Sequence, residues 1–401
     1  MGVEQCNNIN DFRKLAKRRL PAPLFHYIDG GADDEWTLGR NTRAFEEVRL
    51  VPDGLADLTK KDFSTEVLGA RISWPFFLSP TAMTRMFHHE GETAVASAAH
   101  DIGTMYSLSS LSTTSIEEIG GLNDGPKCFQ IYIHRDRGLT NDFVERCKAS
   151  RFTALALTID TLVAGNRERD VVTGMTVPPK LTPRSLLSFA SHPVWAYHYL
   201  TKDKFELANV KDRIAEGTGS LSSIVQYLHN QFDPSITWKD AEELIQRWGG
   251  PFAIKGIMSV EDAKRARDVG ATAVMVSNHG GRQLDGAAAP FDMLARIVDA
   301  VGDDLEVICD GGIRRGSHVI KAIAMGAKAC SMGRGYLYPL AAGGYAGVRH
   351  ALKLLTAEIE RNMILMGCAS LKELDRSKLQ QGPPLPADAS QSATAYGIAA
   401  Q

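Results

Sequence analysis

The sequence predicts a (β/α)8 barrel, and three observations carry that prediction. Eight short β-rich apolar runs recur, each ending in polar or small residues. Most gaps between them hold an Ala-rich amphipathic helical pattern. The runs themselves are almost continuously apolar, as in a parallel sheet covered on both faces. The runs are FFLSPT (76–81), MYSLSS (105–110), CFQIYI (128–133), ALALTID (154–160), FAIKGI (252–257), AVMVSNH (273–279), EVICDGG (306–312) and ACSMGR (329–334). EDAKRARDVG (261–270) and GSHVIKAIAMG (316–326) exemplify the helical gaps. A doubly wound sheet is the competing arrangement. It lacks support, because GTGSLS (217–222) fails the GxGxxG pattern at its third glycine and follows no strand.

Residues 1–375 read as one domain. Residues 1–75 form an N-terminal cap, with a helix over DFRKLAKRRL (11–20) and a turn-rich stretch over LPAPLFHYIDGGADDEWTLGRN (20–41). The barrel spans 76–370, and residues 171–235 are a long insertion after its fourth strand. Within the insertion, PPKLTPRSLLSFASHPVWAYHYL (178–200) is unusually apolar and aromatic. It reads either as a loop capping the barrel or as a patch touching a membrane, where Trp and Tyr favour the interface. Residues 376–401 read as a C-terminal tail, low in complexity and irregular from 381 onward.

With 401 residues, 44% hydrophobic and 23% charged, the chain is long enough for a large core. Its net charge of −2 gives no general basic field for nucleic acid. Cys6, Cys128, Cys147, Cys309, Cys330 and Cys368 form no CxxC pair and read as reduced, mostly buried thiols of a cytoplasmic protein. The first twenty residues show no apolar secretory core, and Cys6 stands where a myristoylation motif wants Ser or Thr. The expected location is cytoplasmic, with peripheral contact on the membrane's cytoplasmic face if 178–200 touches lipid. His88 and His89 resemble a metal pair but lack further assembled ligands, so they read as a solvated helix start and no metal site is expected.

Barrel enzymes gather their chemistry at the C-terminal ends of the strands. Those ends supply Pro80, Thr81 and Ala82; Ser109; Gln130 and Tyr132; Thr158 and Asp160; Lys255; Ser277, His279 and Arg282; Asp310, Gly311, Gly312 and Arg314; and Gly333 with Arg334. One set suits a phosphorylated cofactor. Gly311, Gly312 and Gly333 offer backbone N–H groups where this fold binds phosphate, and Arg314 and Arg334 add charge. Arg315 reads instead as a solvated helix-start charge. Ser109, Gln130 and Thr158 suit a flat heteroaromatic ring, and Lys255 suits the negative charge a flavin gains on reduction. The second set suits a small hydroxy-carboxylate. Arg282 offers a planar fork, Tyr27 and Tyr132 offer hydroxyls, and Arg167 adds charge. His279, three residues before Arg282, is the natural general base, with Asp160 orienting its imidazole. Asp160 and Arg167 also admit a plain ion pair with each other. The glycines of SNHGGRQLDG (277–286) read as giving a ligand close access to backbone.

SNHGGRQLDG, DGGIRRG (310–316), MGAKACSMGR (325–334), FQIYI, LTID and HYIDGGADDEWTLGRN (26–41) together resemble the FMN-dependent L-2-hydroxy-acid oxidases and dehydrogenases. The resemblance spans roughly residues 8–375. NQFDPSITWKD (230–240) and SHPVWAYHYL (191–200) look most like the respiratory L-lactate dehydrogenases of that family. The resemblance implies FMN, His279 as base, Asp160 behind it, Tyr27, Tyr132, Arg167 and Arg282 at the substrate, and Lys255 at the flavin. Leu111 stands where the glycolate oxidases of the family carry an aromatic residue, leaving room for a larger substrate side chain. A homotetramer is also implied. Product would be a 2-oxo acid, with electrons passing to quinone, another carrier or oxygen. Hydride and carbanion routes both fit the residues, and so do a dehydrogenase and an H2O2-forming oxidase. The reading of a different class is a phosphate-ligand barrel without redox chemistry, an isomerase or a binding protein.

Overall fold

Parallel strands buried on both faces need apolar residues at every position, and the eight predicted runs supply them. In the computed structural model, which describes residues 2–175, 180–203, 205–210 and 233–382, all eight form strands. A cap comes first, with α1 (Ile9–Arg19), α2 (Ala22–Asp29), α3 (Trp36–Glu46), β1 (Val48–Leu50), β2 (Thr65–Val67) and β3 (Ala70–Ile72). The barrel begins with β4 (Phe76–Leu78), α4 (Gly91–Asp101), β5 (Tyr106–Ser109), α5 (Ile116–Leu122), β6 (Lys127–Ile131), α6 (Arg137–Ala149) and β7 (Ala154–Thr158). The insertion contributes α7 (Glu168–Thr173), α8 (Pro183–Ala190) and α9 (Pro193–Thr201). The barrel resumes with α10 (Trp238–Trp248), β8 (Phe252–Ile257), α11 (Val260–Asp268), β9 (Ala273–Ser277), α12 (Pro290–Val301), β10 (Glu306–Asp310), α13 (Gly316–Ala324), β11 (Ala329–Met332) and α14 (Arg334–Leu365), before β12 (Leu379–Gln381).

Strands β4 to β11 close into one parallel barrel, β11 pairing with β4, which excludes the doubly wound sheet. Small inward residues (Ala154, Ala156, Ala253, Ala273, Ala329) leave the lower barrel narrow, and Val67, Leu68 and Ile72 of the β2–β3 hairpin pack into the same cluster. That hairpin plugs the end opposite the functional loops. Helix starts are largely local. Asn8, Ser115, Asp136 and Ser259 cap α1, α5, α6 and α11 through their side chains.

Two expectations need correction. The stretch 20–41 is mostly helical rather than turn-rich, because a distant carboxylate caps α3: Trp36 N and Thr37 N donate to Asp285 at 3.2 and 2.8 Å. The segment after 375 is not wholly an irregular tail. β12 pairs antiparallel with β1 and binds the C-terminal segment to the cap. GTGSLS, residues 383–401 and parts of the insertion, including the start of NQFDPSITWKD, lie outside the described residues. All six cysteines are free and buried. Among the described residues no helix is long and apolar enough to cross a membrane.

Asp29, at the end of α2, fastens the cap. It accepts from Arg13 Nη2 at 2.8 Å, Arg169 Nη1 at 3.0 Å and the Tyr338 hydroxyl at 2.8 Å. Burial alone would raise its pKa, but the Arg13 and Tyr338 hydrogen bonds and the Arg169 charge outweigh burial and hold it at about 2. A depressed carboxylate stabilises the fold above its unfolded pKa and loses that contribution as pH falls through the folded value. Asp29→Asn should therefore lower stability at pH 7 by roughly 2 kcal/mol. The deficit should shrink toward pH 2, as read by urea unfolding midpoints. A deficit equal at both pH values would contradict the assignment.

Candidate active site

One cavity opens at the C-terminal ends of the barrel strands, and every site residue anticipated from sequence lines it except Asp160 and Ser277. Those two stand just behind the lining. The arrangement follows from the register of the parallel strands. Thr158 is level with Lys255, Ser277 with Asp310, and Asp310 with Ser331, so one polar residue per strand arrives at the same height.

Lys255 forms the floor. Its Nζ lies 3.0 Å from Asp310 Oδ2 and donates to Ser277 Oγ at 2.9 Å. Burial would lower its pKa, but Asp310 and then Asp160 outweigh burial and keep it above the ordinary lysine value. Ser277 donates to Asp310 at 2.7 Å and accepts from His279 N at 3.2 Å. Its hydroxyl is thus engaged inside the wall, directly behind the cavity lining. Asp310 also accepts from Ser79, so within the wall it supports Lys255.

His279 follows directly, in the left-handed backbone region with φ +56°. A non-glycine residue held there is strained, and that strain is common where a side chain must be aimed. His279 Nδ1 lies 2.8 Å from Asp160 Oδ1. A carboxylate there fixes the proton on Nδ1 and leaves the Nε2 lone pair available to the cavity. Burial would raise the Asp160 pKa, but His279 and Lys255 outweigh it and hold it at about 2. Thr161, missed from sequence, donates to the same Asp160 oxygen at 3.0 Å. Gln283, also missed, ties the turn by donating to Asp160 O and Val163 O at 3.0 and 2.8 Å. Thr161 directly follows LTID and Gln283 lies within SNHGGRQLDG, but neither betrays its partner by spacing.

Arg282 anchors one amino group on the Tyr27 and Gly30 carbonyls, at 2.6 and 3.1 Å, with its guanidinium 4.9 Å from the Tyr27 ring centre. Its Nη2 has no hydrogen-bond partner among the described residues. Burial, then Arg167 beside it, lowers its pKa to about 9, so it stays charged but electrostatically strained. Arg167 pairs with Asp170 at 3.0 Å, not with Asp160, which is committed to His279. Burial raises the Tyr132 pKa, keeping its hydroxyl a donor.

The opposite side carries the residues anticipated for a phosphate. Gly311 and Gly312 have φ +136° and +74°, and Gly333 caps α14. Arg314 lines the cavity, its charge disfavoured by burial, whereas Arg315 is half exposed and pairs with Glu358 at 3.5 Å. Arg334 also lines the cavity. Its three nitrogens each donate at 2.7 Å, to Ile28 O, Gly280 O and Gly30 O, so it bolts the cap to the barrel while edging the cavity. The glycines after β9 also have another cause than ligand access. A Cβ on Gly281 would lie 2.6 Å from Leu38 N, so the residue is bare because α3 packs on it.

The residues fit an FMN-like molecule. Gln130 Nε2 and Thr158 Oγ1 are buried without a hydrogen-bond partner, on side chains lining the cavity. Buried polar atoms left unpaired are costly, and a heteroaromatic edge would satisfy both. Pro80, Thr81, Ala82 and Ser109 complete that wall. An apolar wall of Met83, Phe87, Leu111, Met175 and Leu207 completes the mouth and was largely missed, since these residues come from separate loops. His88 and His89 are not a solvated helix start. They pack with His198 of α9 around a second cavity. Among the described residues no cluster of His, Cys, Asp and Glu is arranged to hold a metal.

Comparisons with known proteins agree with this geometry. A family model described as FMN-dependent dehydrogenase matches residues 16–381. The L-lactate dehydrogenase of Pseudomonas paraeruginosa is 40% identical over 370 residues, covering 92% of this chain and 97% of the relative. That of Vibrio parahaemolyticus is 40% identical over 374 residues, covering 93% and 98%. The crystal structure of the monotopic membrane protein (S)-mandelate dehydrogenase superposes with a TM-score of 0.90 at 36% identity, covering 94% of this chain and all of that one. A mandelate oxidase structure superposes at 0.80 and 35%, covering 95% and 100%.

Arg314→Ala should weaken FMN binding at least about tenfold, since a charged hydrogen bond is worth roughly 1.5–3 kcal/mol. Arg315→Ala should leave it unchanged. Flavin absorbance retained after gel filtration distinguishes them, and equal retention by both variants would refute the assignment.

Proposed function

The chain belongs to the FMN-dependent dehydrogenase family, and on that premise we propose that it oxidises an L-2-hydroxy acid to the 2-oxo acid. The carrying observation is the pairing of His279, held by Asp160, with the Arg282 fork on one cavity wall above Lys255. An isomerase or binding protein would need the phosphate loops but not this second set. The lactate dehydrogenase relatives and mandelate dehydrogenase neighbours favour a lactate-like or larger acid.

When bound, FMN supplies the two-electron acceptor for the substrate's α-carbon. Gly311, Gly312, Gly333 and Arg314 would hold its phosphate, and Ser109, Gln130 and Thr158 its ring. Lys255 lines the same cavity and would stabilise negative charge on the ring, an interaction that strengthens as water is excluded. The substrate carboxylate docks on Arg282, assisted by Tyr27, Tyr132 and Arg167, and relieves the crowding of cations there. His279 Nε2 removes the hydroxyl proton if hydride leaves carbon, or the α-proton if a carbanion forms. Asp160 stabilises the imidazolium in either route.

Electrons leave for a quinone or another carrier, the dehydrogenase reading, and oxygen is the alternative. The outer faces of α8 and α9 expose Leu186, Leu187, Val194, Tyr197 and Leu200, the last at 79%. That surface supports peripheral membrane contact, as the structural neighbour described as monotopic does, on a cytoplasmic face. The same reading carries a homotetramer, checked by light scattering of the holoenzyme.

His279→Gln should retain FMN yet lose at least about a thousandfold in turnover on a panel of L-2-hydroxy acids. Near-normal turnover would refute the base assignment. Leu187→Glu combined with Leu200→Glu should move the protein from sedimenting vesicles to the supernatant, with turnover on a soluble dye intact. Unchanged sedimentation would remove membrane contact through α8 and α9.

A further inference from the structure

Beside the active site lies a second cavity, built by the turn after β4 and by α9. The rings of His89 and His198 pack edge to face at 4.4 Å, His88 stacks on His89 at 4.6 Å, and Trp195 stacks on Tyr199 at 5.0 Å. The ring nitrogens of His89 and His198 make no hydrogen bond among the described residues. Arg85 Nε is buried without a partner. Phe87 lines both cavities and stacks on Tyr27 at 6.1 Å, so the second cavity is separated from the first by aromatic side chains. The Trp195 indole donates to Met86 O at 2.9 Å and holds α9 against that wall.

We propose that this second cavity binds the ring of a benzoquinone, the acceptor of the electrons removed from the hydroxy acid. The proposal rests on the dehydrogenase reading and names its partner. Three properties select a quinone. The lining is aromatic, matching a flat ring. The donors without acceptors match carbonyl oxygens and would stabilise the charge that develops there on reduction. The nearby carboxylates of Asp203, 3.8 Å from Arg85 Nη2, and Glu90, 3.7 Å from His88 Nδ1, offset the cations, which suits a neutral ring better than a phosphate. Val194 and Tyr199 of α9 both line the cavity and are exposed, on the helix that also exposes Tyr197 and Leu200, which would give a lipid-dissolved quinone access. The chemistry balances. The acid loses two electrons and two protons, and the quinone gains two of each to become the hydroquinone. The electrons come from the reduced cofactor across Phe87, and the protons from solvent through His89 and His198.

The test uses oxidised holoenzyme and a short-chain ubiquinone as probe, in two variants. One combines His89→Ala with His198→Ala; the other is Val194→Trp, which closes the mouth and keeps both imidazoles. Each should raise the quinone dissociation constant at least about tenfold by calorimetric titration. Each should slow flavin reoxidation by quinone in proportion. Anaerobic reduction by the hydroxy acid and reoxidation by ferricyanide should keep wild-type rates. Wild-type quinone affinity and reoxidation in both variants would overturn the site. If no hydroxy acid reduces the wild-type flavin, the proposed function fails instead, and the binding titration alone decides the site.

Discussion

A buried ammonium sets the terms for this molecule. Lys255 sits buried at the C-terminal end of a closed barrel, under the cavity, where an unpaired charge would cost several kcal/mol or more. Asp310 neutralises it directly, Asp160 lies within its electrostatic reach, and Ser277 and Ser79 satisfy the remaining atoms. These groups come from the ends of different strands. A one-residue slip between β9 and β10 would turn Ser277 or Asp310 out of the network. The network thus ties strand register to site geometry. The charge that is costly to bury also places His279, whose backbone N–H rests on Ser277 and whose imidazole rests on Asp160.

Around this anchor the cavity holds more cation than anion. Arg282, Arg314 and Arg334 are all disfavoured as charged groups by burial, and neighbouring cations add to the effect. Such a surface is incomplete without anions. A phosphate on one side and a carboxylate on the other would relieve it at two separate places. Binding energy is therefore available where orientation matters, holding the reacting carbon between imidazole and ring.

The barrel was legible because parallel strands need continuous apolar runs, and a run's C-terminal end marks the functional face without further information. Hence Lys255, His279, Arg282 and Gly311 could be placed together from sequence. What escaped depends on partners far along the chain. Asp285 caps a helix about 250 residues earlier, which turned an apparently irregular cap into helices. Arg334 spends its donors on carbonyls of that cap, and Gly281 is bare because α3 lies against it. His88 and His89 read as solvated because their third ring, His198, belongs to the insertion. Local pattern carries no signal for such meetings.

On the proposed function, an imidazole and a guanidinium three residues apart would present an L-configured hydroxy acid to the flavin. Anaerobic mixing of the holoenzyme with each enantiomer of lactate and mandelate, followed at about 450 nm, tests it most directly. The flavin band should bleach with at least one L-enantiomer and persist with its D-counterpart. A band untouched by every L-acid, or bleached equally by both hands, would contradict it.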